Sequence, residues 1–184
     1  MSSGRPAHVV VMGVTGTGKS SIGRALADAL DWVFIEGDAV HPAANIAKMR
    51  AGIPLTDEDR IPWLEALGRL TAQRDAEGRS TVVASSALRR MYRDLLRGAV
   101  PDGPTFFVHL VAPSSVLLGR MRARDHFMPP ALLDSQFDAL EPLSGDEDGV
   151  MIDVDRPPAD VLGEALATVR ARFPDTVGHD PTGS

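Results

Sequence analysis

Short, strongly apolar runs recur along the chain and leave room for helices between them. Most are rich in β-branched residues and are bounded by glycine, proline or polar residues, which is typical of buried strands. They predict five strands, at residues 8–12, 33–35, 81–84, 105–111 and 150–154. The run at 105–111 is almost wholly apolar, which indicates a strand that is covered on both faces.

Between these runs, apolar residues recur with the spacing of a helix. Ile22, Leu26 and Leu30 step by four, and Thr56 precedes three acidic residues in the manner of a helix cap. Helices are predicted at about 20–30, 43–50, 57–77, 87–97, 115–122, 132–140 and 159–173. Strands that alternate with helices predict an α/β fold, with a five-stranded parallel sheet and helices on both faces.

The length of 184 residues suggests a single domain. Its core is expected at about 8–173, with a loose tail at 174–184. The segments at about 38–62 and 120–140 are interpreted as insertions over the edge of the sheet, because no linker divides the chain.

Composition and charge exclude several classes of protein. A net charge of −6 argues against a nucleic-acid-binding surface, which needs clustered excess Lys and Arg. The absence of cysteine rules out disulfides and thiolate metal sites. No apolar run approaches the roughly 18 residues of a membrane helix, and no signal peptide is recognised. The expectation is a protein of the cytoplasm without membrane contact.

The stretch HVVVMGVTGTGKSS places a glycine-rich loop between a predicted strand and a predicted helix. This spacing is that of a phosphate-binding loop, in which backbone N–H groups and the helix N-terminus hold phosphates. Lys19 can reach the β- and γ-phosphates, and the Ser20 hydroxyl can bind Mg²⁺. The predicted ATP-binding residues of the loop are Gly13, Val14, Thr15, Gly16, Thr17, Gly18, Lys19, Ser20 and Ser21. Because the Asn-Lys-x-Asp element of switch GTPases is absent, a kinase, an ATPase and a binding module without turnover remain.

Two carboxylates follow the second predicted strand, in the sequence FIEGDAVHP. Ligands of parallel sheets bind at the carboxyl ends of strands beside the phosphate loop. One of Glu36 and Asp38 can orient Mg²⁺ through water, and the other can accept a proton from an attacking hydroxyl. The alternative is that Asp38 caps the next helix and Glu36 is solvated. His41 can equally be a polar turn residue, and Lys48 can equally lie on a solvated helix face.

Basic residues cluster in two places. The third strand is followed by Arg89, Arg90, Arg93 and Arg97. Most such arginines are solvated or form surface pairs with little energetic effect, but one or two near the strand end can bind an anionic substrate. In GRMRARDHFMPP, Arg120 and Arg124 are one helical turn apart and can stack on adenine or neutralise a phosphoryl group. The prolines that end this stretch are typical of a mobile lid.

Taken together, these segments resemble the gluconokinases, a family of phosphate-loop kinases related to shikimate kinase. The matching segments are MGVTGTGKSS, EGDAVHPAANIAKMRAGIPLTDEDRIPWL, SALRRMYRDLLR, HFMPPALLDSQFDALE and DVDRPP, which cover most of residues 9–158. The resemblance implies a five-stranded parallel sheet with a lid and a substrate-binding insertion. It also implies that ATP phosphorylates D-gluconate on its 6-hydroxyl, giving ADP and 6-phospho-D-gluconate for gluconate catabolism.

The resemblance also implies roles for individual residues. Asp38 looks like the base that binds the acceptor hydroxyl, Glu36 like the acid on the Mg²⁺ side, and Arg124 like the lid arginine that acts with Lys19 in catalysis. Arg120 and Pro157 resemble the pair that flanks adenine. The implied substrate contacts, besides Asp38, are His41, Lys48, Arg60, Arg90, His126 and Gln136. Relatives are often dimeric, so a homodimer is an expectation, although no segment identifies an interface.

The chain departs from the family pattern at three places. Glu36 and Ser85 stand where the family usually has Asp and Cys, and the lid stretch is one residue shorter than usual. We assign the lid arginine to Arg124 rather than Arg122, because Arg124 keeps the four-residue spacing from Arg120. Two alternatives to a gluconokinase are a kinase of another small hydroxy acid such as shikimate and a nucleotide-binding module without turnover.

Overall fold

A computed structural model of the protein describes residues 4–123 and 131–176. Within them, five strands form one parallel sheet in the order β2-β3-β1-β4-β5. The strands are β1 His8–Met12, β2 Val33–Glu36, β3 Thr81–Ala84, β4 Thr105–Val111 and β5 Gly149–Asp153. The five-stranded parallel sheet predicted from the apolar runs is therefore confirmed, with strand ends within one residue of expectation.

Seven α-helices alternate with the strands in the part of the chain that is described. They are α1 Lys19–Leu30, α2 Ala43–Arg50, α3 Asp57–Ala76, α4 Arg90–Gly98, α5 Ser114–Ala123, α6 Ala131–Ala139 and α7 Pro158–Arg172. A 3₁₀ turn at Gly37–Val40 directly follows β2. None of the helices in residues 4–123 and 131–176 has the length and hydropathy needed to cross a membrane.

Both faces of β1, at the centre of the sheet, are buried, and its successive residues point to opposite sides. Val9 and Val11 of β1 belong to a core shared with α1 and α7. Val10 and Met12 belong to a second core, shared with α3 and α4. The uninterrupted apolar runs of the sequence are explained by this two-sided burial.

The start of α3 matches the capping signal in the sequence. The Thr56 hydroxyl accepts the Asp59 N–H at 3.3 Å, and the Asp59 carboxylate accepts the Thr56 N–H at 3.0 Å. This reciprocal pair satisfies two N–H groups that a helix N-terminus leaves without partners.

Helix α4 begins three residues later than the prediction at 87–97. Ala87 has a left-handed φ of 42° and Arg89 is extended, so the chain runs on beyond β3 before it turns into the helix. At the first helical residue, the Arg90 N–H donates to the Glu141 carboxylate at 2.7 Å. The helix start therefore depends on a residue 51 positions away, which no local pattern could indicate.

Arg93 is wholly buried and is the exception in its cluster, because Arg89, Arg90 and Arg97 form partly exposed ion pairs, as expected for most of these arginines. The Arg93 guanidinium forms two hydrogen bonds with the Glu147 carboxylate, at 2.7 and 2.8 Å, and the Glu147 side chain is equally inaccessible. It also donates to the carbonyls of Ala87, Leu88 and Glu141. One buried side chain therefore connects the end of β3, the start of α4 and the loop before β5.

Glu147→Gln is expected to lower the free energy of unfolding by about 3–5 kcal/mol, because it leaves the Arg93 charge buried without a counter-charge. The hydrogen bonds from Arg93 lower the pKa of Glu147 to about 2. In the wild type, this stabilisation is complete above the ordinary pKa of 4.5 and is lost as the pH falls towards 2. Urea unfolding across this pH range measures both effects.

The matched control is Asp148→Asn, which removes the neighbouring exposed ion pair with Arg172. Exposed pairs contribute at most about 1 kcal/mol. Equal losses for the two variants would contradict the assignment of a structural role to the buried pair.

Candidate active site

The phosphate loop connects β1 to α1 and has the backbone geometry expected from its glycines. Gly13, Gly16 and Gly18 have φ values of 143°, 84° and 89°. A Cβ atom at Gly13 would lie 2.6 Å from the Leu110 carbonyl oxygen, so no larger residue fits there. Gly18 directly precedes α1, which places the positive end of that helix at the loop.

Two side chains bind back to the loop carbonyl of Val14. The Thr17 hydroxyl donates to it at 2.8 Å and the Lys19 ammonium at 3.1 Å. Burial lowers the pKa of Lys19 from its ordinary value, and the nearby carboxylates of Asp38 and Glu36 oppose this shift. The lysine is thus held in the loop, within electrostatic reach of both predicted acids.

A first cavity lies on the helix side of the loop and is here named the nucleotide cavity. It is lined by Gly16, Thr17, Gly18, Ser21, Ile22, Arg120, Val154, Arg156, Pro158 and Val161. The Arg120 guanidinium donates to the Val154 carbonyl. Pro157, which was expected to flank adenine with Arg120, directly precedes α7, and its neighbour Pro158 is the proline that lines the cavity.

A second cavity lies on the other side of the loop and is named the acceptor cavity. It is lined by Thr15, Lys19, Asp38, His41, Met49, Ile53, Pro54, Leu55, Arg60, Ser86, Leu132, Ser135 and Gln136. It brings together six predicted site residues, namely Thr15, Lys19, Asp38, His41, Arg60 and Gln136. These come from the loop and the start of α1, from the 3₁₀ turn and the residue after it, and from α3 and α6, so the fold collects them from distant parts of the chain.

Asp38 is exposed in the 3₁₀ turn, and its N–H donates to the Glu36 carboxylate at 3.4 Å. The residue that caps α2 is Pro42, so Asp38 does not have the capping role considered from the sequence. Its carboxylate lines the same cavity as Lys19. Glu36 and Ser20, the predicted Mg²⁺ residues, are not among the residues that line either cavity.

His41 forms one wall of the acceptor cavity. Its ring stacks on Trp63 with centroids 4.0 Å apart, and its Nδ1 lies 3.3 Å from the Asn45 amide nitrogen. Trp63 is itself fixed by a 2.8 Å hydrogen bond from its Nε1 to the Gly37 carbonyl. Burial lowers the pKa of His41 to about 4, so the ring is neutral at pH 7.

The basic residues that were predicted to contact the substrates lie in different places. Arg60 lines the acceptor cavity, where its Nε donates to the Leu55 carbonyl at 3.3 Å and its guanidinium lies 5.6 Å from the Tyr92 ring centroid. Lys48 lies 2.7 Å from both carboxylate oxygens of Asp59. Arg90 is paired with Asp146 at 2.6 Å, away from the residues that line the cavity. Arg124 and His126 lie outside the described residues.

Comparison with known proteins identifies the relatives of this chain. A family model described as an AAA domain matches residues 9–143. The gluconokinase of Gluconobacter oxydans is 42% identical over 168 residues, which cover 91% of this chain and 93% of the relative. The thermosensitive gluconokinase of Escherichia coli is 43% identical, covering 88% and 87%. The crystal structure of a gluconokinase from Sinorhizobium meliloti superposes with a TM-score of 0.84 at 48% identity, covering 93% and 95%.

The chain belongs to the gluconokinase family. It is an enzyme family of phosphate-loop kinases, and the five-stranded parallel sheet described above is the one that the resemblance implied. Where this chain has Ser85 in place of the usual Cys of the family, the side chain is buried and its hydroxyl has no hydrogen-bond partner among the described residues.

Several site residues of this family member were not singled out from the sequence. Ser86 lies two residues beyond β3, just as Asp38 lies two residues beyond β2. Its place after a strand could therefore have identified Ser86 as a site residue from the sequence. Arg156 lines the nucleotide cavity, pairs with Glu164 and donates to the Asp153 carbonyl at 2.9 Å. The acceptor cavity also has an apolar wall, formed by Met49, Ile53 and Leu55. The sequence does not identify these residues as part of a site, because they resemble ordinary core residues.

Proposed function

We propose that this member of the family transfers the γ-phosphoryl group of ATP to the 6-hydroxyl of D-gluconate. The products are ADP and 6-phospho-D-gluconate. The observation that carries the proposal is that Asp38 and Lys19 line one cavity that opens from the phosphate loop. The gluconokinase relatives, which align with most of the chain, support the same activity.

The chemistry follows from two residues that line this cavity, Asp38 and Lys19. Asp38 accepts the proton of the 6-hydroxyl as its oxygen forms a bond to the γ-phosphorus, while the bond to the β-phosphate oxygen breaks and ADP leaves. Lys19 neutralises charge on the transferring group. Phosphoryl transfer needs mainly positioning and charge neutralisation, so this small set of groups is sufficient.

The remainder of gluconate requires a cation for its carboxylate and polar groups for its hydroxyls. Arg60 supplies a cation inside the cavity, and neutral His41 and Gln136 supply hydrogen-bonding groups. Lys48, Arg90 and His126 stay predicted contacts. Lys48 would have to exchange its pair with Asp59 for a contact with substrate.

The donor is assigned from the nucleotide cavity. Arg120 would stack on adenine with a proline of the Pro157-Pro158 pair on the other side, and Arg124 would neutralise the phosphates as a lid residue. Mg²⁺ would be held by the Ser20 hydroxyl and, through water, by Glu36. Protein sites for Mg²⁺ typically use one or two side chains besides substrate phosphates, and this donor set fits that pattern. The ion neutralises phosphate charge.

The test is ADP release by the purified protein with a panel of acceptors: gluconate, other aldonates, shikimate and neutral sugars. Gluconate is expected to give the highest kcat/KM, because Arg60 and Asp38 match a molecule with a carboxylate and a hydroxyl at opposite ends. A rate with gluconate no higher than the rate without acceptor, together with turnover of another acid, would overturn the proposal in favour of that acid. Absence of turnover with every acceptor would favour a binding module.

Two further expectations accompany this function. A cytoplasmic location is inferred from the need for ATP, and a homodimer from the resemblance to dimeric relatives. Sedimentation equilibrium of the full chain checks the second. A net charge of −6 continues to argue against a nucleic-acid partner.

A further inference from the structure

A side chain of α6 binds directly to the phosphate loop. The Thr15 backbone N–H donates to Gln136 Oε1 at 2.7 Å, across a sequence separation of 121 residues. Both residues line the acceptor cavity. The contact therefore joins the wall that faces the acceptor to the loop that holds the donor.

The contact lies on the side of the loop that faces the acceptor cavity. Gly16, Thr17 and Gly18 line the nucleotide cavity, whereas Thr15 lines the acceptor cavity. The Thr15 N–H therefore belongs to the part of the loop next to the acceptor.

Packing around the contact makes the loop and α6 a single unit. Val14 of the loop and Leu133 of α6 are buried in one apolar cluster with Leu88, Leu117 and Met121. This cluster packs α6 against the loop. The hydrogen bond of Gln136 then sets the distance between α6 and the loop at the acceptor cavity. Because Oε1 accepts the Thr15 N–H, the amide orientation is fixed and the NH₂ group is the donor end.

We propose that Gln136 is a positioning residue, which holds the acceptor wall at a fixed distance from the phosphate loop. The proposal builds on the phosphoryl transfer proposed above. Transfer requires the reacting atoms at about 3–3.5 Å in line, and a displacement of about 1 Å can cost 10²-fold in rate. A residue that connects the two halves of the site therefore affects kcat, in addition to any effect that its contact with gluconate has on KM.

The experiment compares Gln136→Met, which keeps the length of the side chain but cannot accept the Thr15 N–H, with Gln136→Glu, which still can. Gln136→Met is expected to lower kcat about 10- to 100-fold and to change KM for ATP less than about 3-fold. Gluconate-independent ATP hydrolysis is expected to persist, so the ratio of transfer to hydrolysis falls. At saturating gluconate, the kcat of Gln136→Glu is expected to lie between those of Gln136→Met and the wild type.

The control is Gln73→Met, the same change at an exposed residue of α3 whose amide donates to Glu77. It is expected to leave both kinetic constants unchanged. A Gln136→Met variant that raises only KM for gluconate would overturn the proposal and make Gln136 a simple binding contact. If Gln136→Met does not fold, a loss of kcat of less than about 10-fold for Gln136→Glu supports the proposal, and a larger loss overturns it. Failure of the wild type to phosphorylate gluconate would instead refute the proposed function.

Discussion

Asp38→Asn is expected to lower kcat with gluconate by about 10²–10⁴-fold, the usual contribution of a general base. Asparagine keeps the size of the side chain but cannot accept the proton of the acceptor hydroxyl. Asp38 is exposed and lies in a turn whose N–H groups do not depend on its carboxylate, so the variant should fold normally. Steady-state kinetics at saturating ATP and gluconate measure the effect.

The donor side should be little affected by this change. Nucleotide binding, followed by fluorescence titration with an ATP analogue, is expected to stay within about 3-fold, because Asp38 lines only the acceptor cavity. Asp28→Asn, the same change on the exposed face of α1, is the control and should behave like the wild type. Near-normal turnover by Asp38→Asn would mean that another group accepts the proton.

Lys19→Ala is expected to reduce kcat/KM for ATP by about 10²–10³-fold or more, the loss found when a charge-stabilising group is removed from a transition state. Its ammonium lies 3.1 Å from the Val14 carbonyl and is the cation of the loop. Initial rates at varied ATP measure the change. Activity within about 3-fold of the wild type would contradict the assigned role.

This loss should occur without unfolding. Burial lowers the pKa of Lys19, which means that the folded protein disfavours its charge, so removing the ammonium need not destabilise the fold. Thermal unfolding of Lys19→Ala is therefore expected at a Tm no lower than that of the wild type. Arg79→Ala, which removes an exposed cation just before β3, is the control for a general effect of charge.

The sheet and the phosphate loop were predictable because their signals are local. A run such as HVVVM is apolar at every position because both faces of β1 are covered, and the glycines of the loop are required by its own backbone angles. The capping box of Thr56 and Asp59 spans only four residues and is equally visible in the sequence. The position of Asp38 was found in the same way, from its place after a strand.

The parts that escaped prediction depend on contacts between distant residues. The late start of α4 follows from Glu141 and from the carbonyl groups that Arg93 binds, and Arg93 looked like a surface arginine until its partner Glu147 was seen. Lys48 and Arg90 carry the charge that a substrate contact needs, yet both are paired with acids in the fold. Residue type alone could not separate them from Arg60.

By itself, the sequence determined the α/β class, the order of the elements, the phosphate loop and the carboxylate beside it, because each of these depends on neighbours within about one turn or one strand. The tertiary structure decided which side chains share a cavity. It divided the loop into a nucleotide side and an acceptor side, and it brought Gln136 to Thr15. Such pairings depend on how α6 packs against the loop, and packing is a property of the whole chain rather than of any segment.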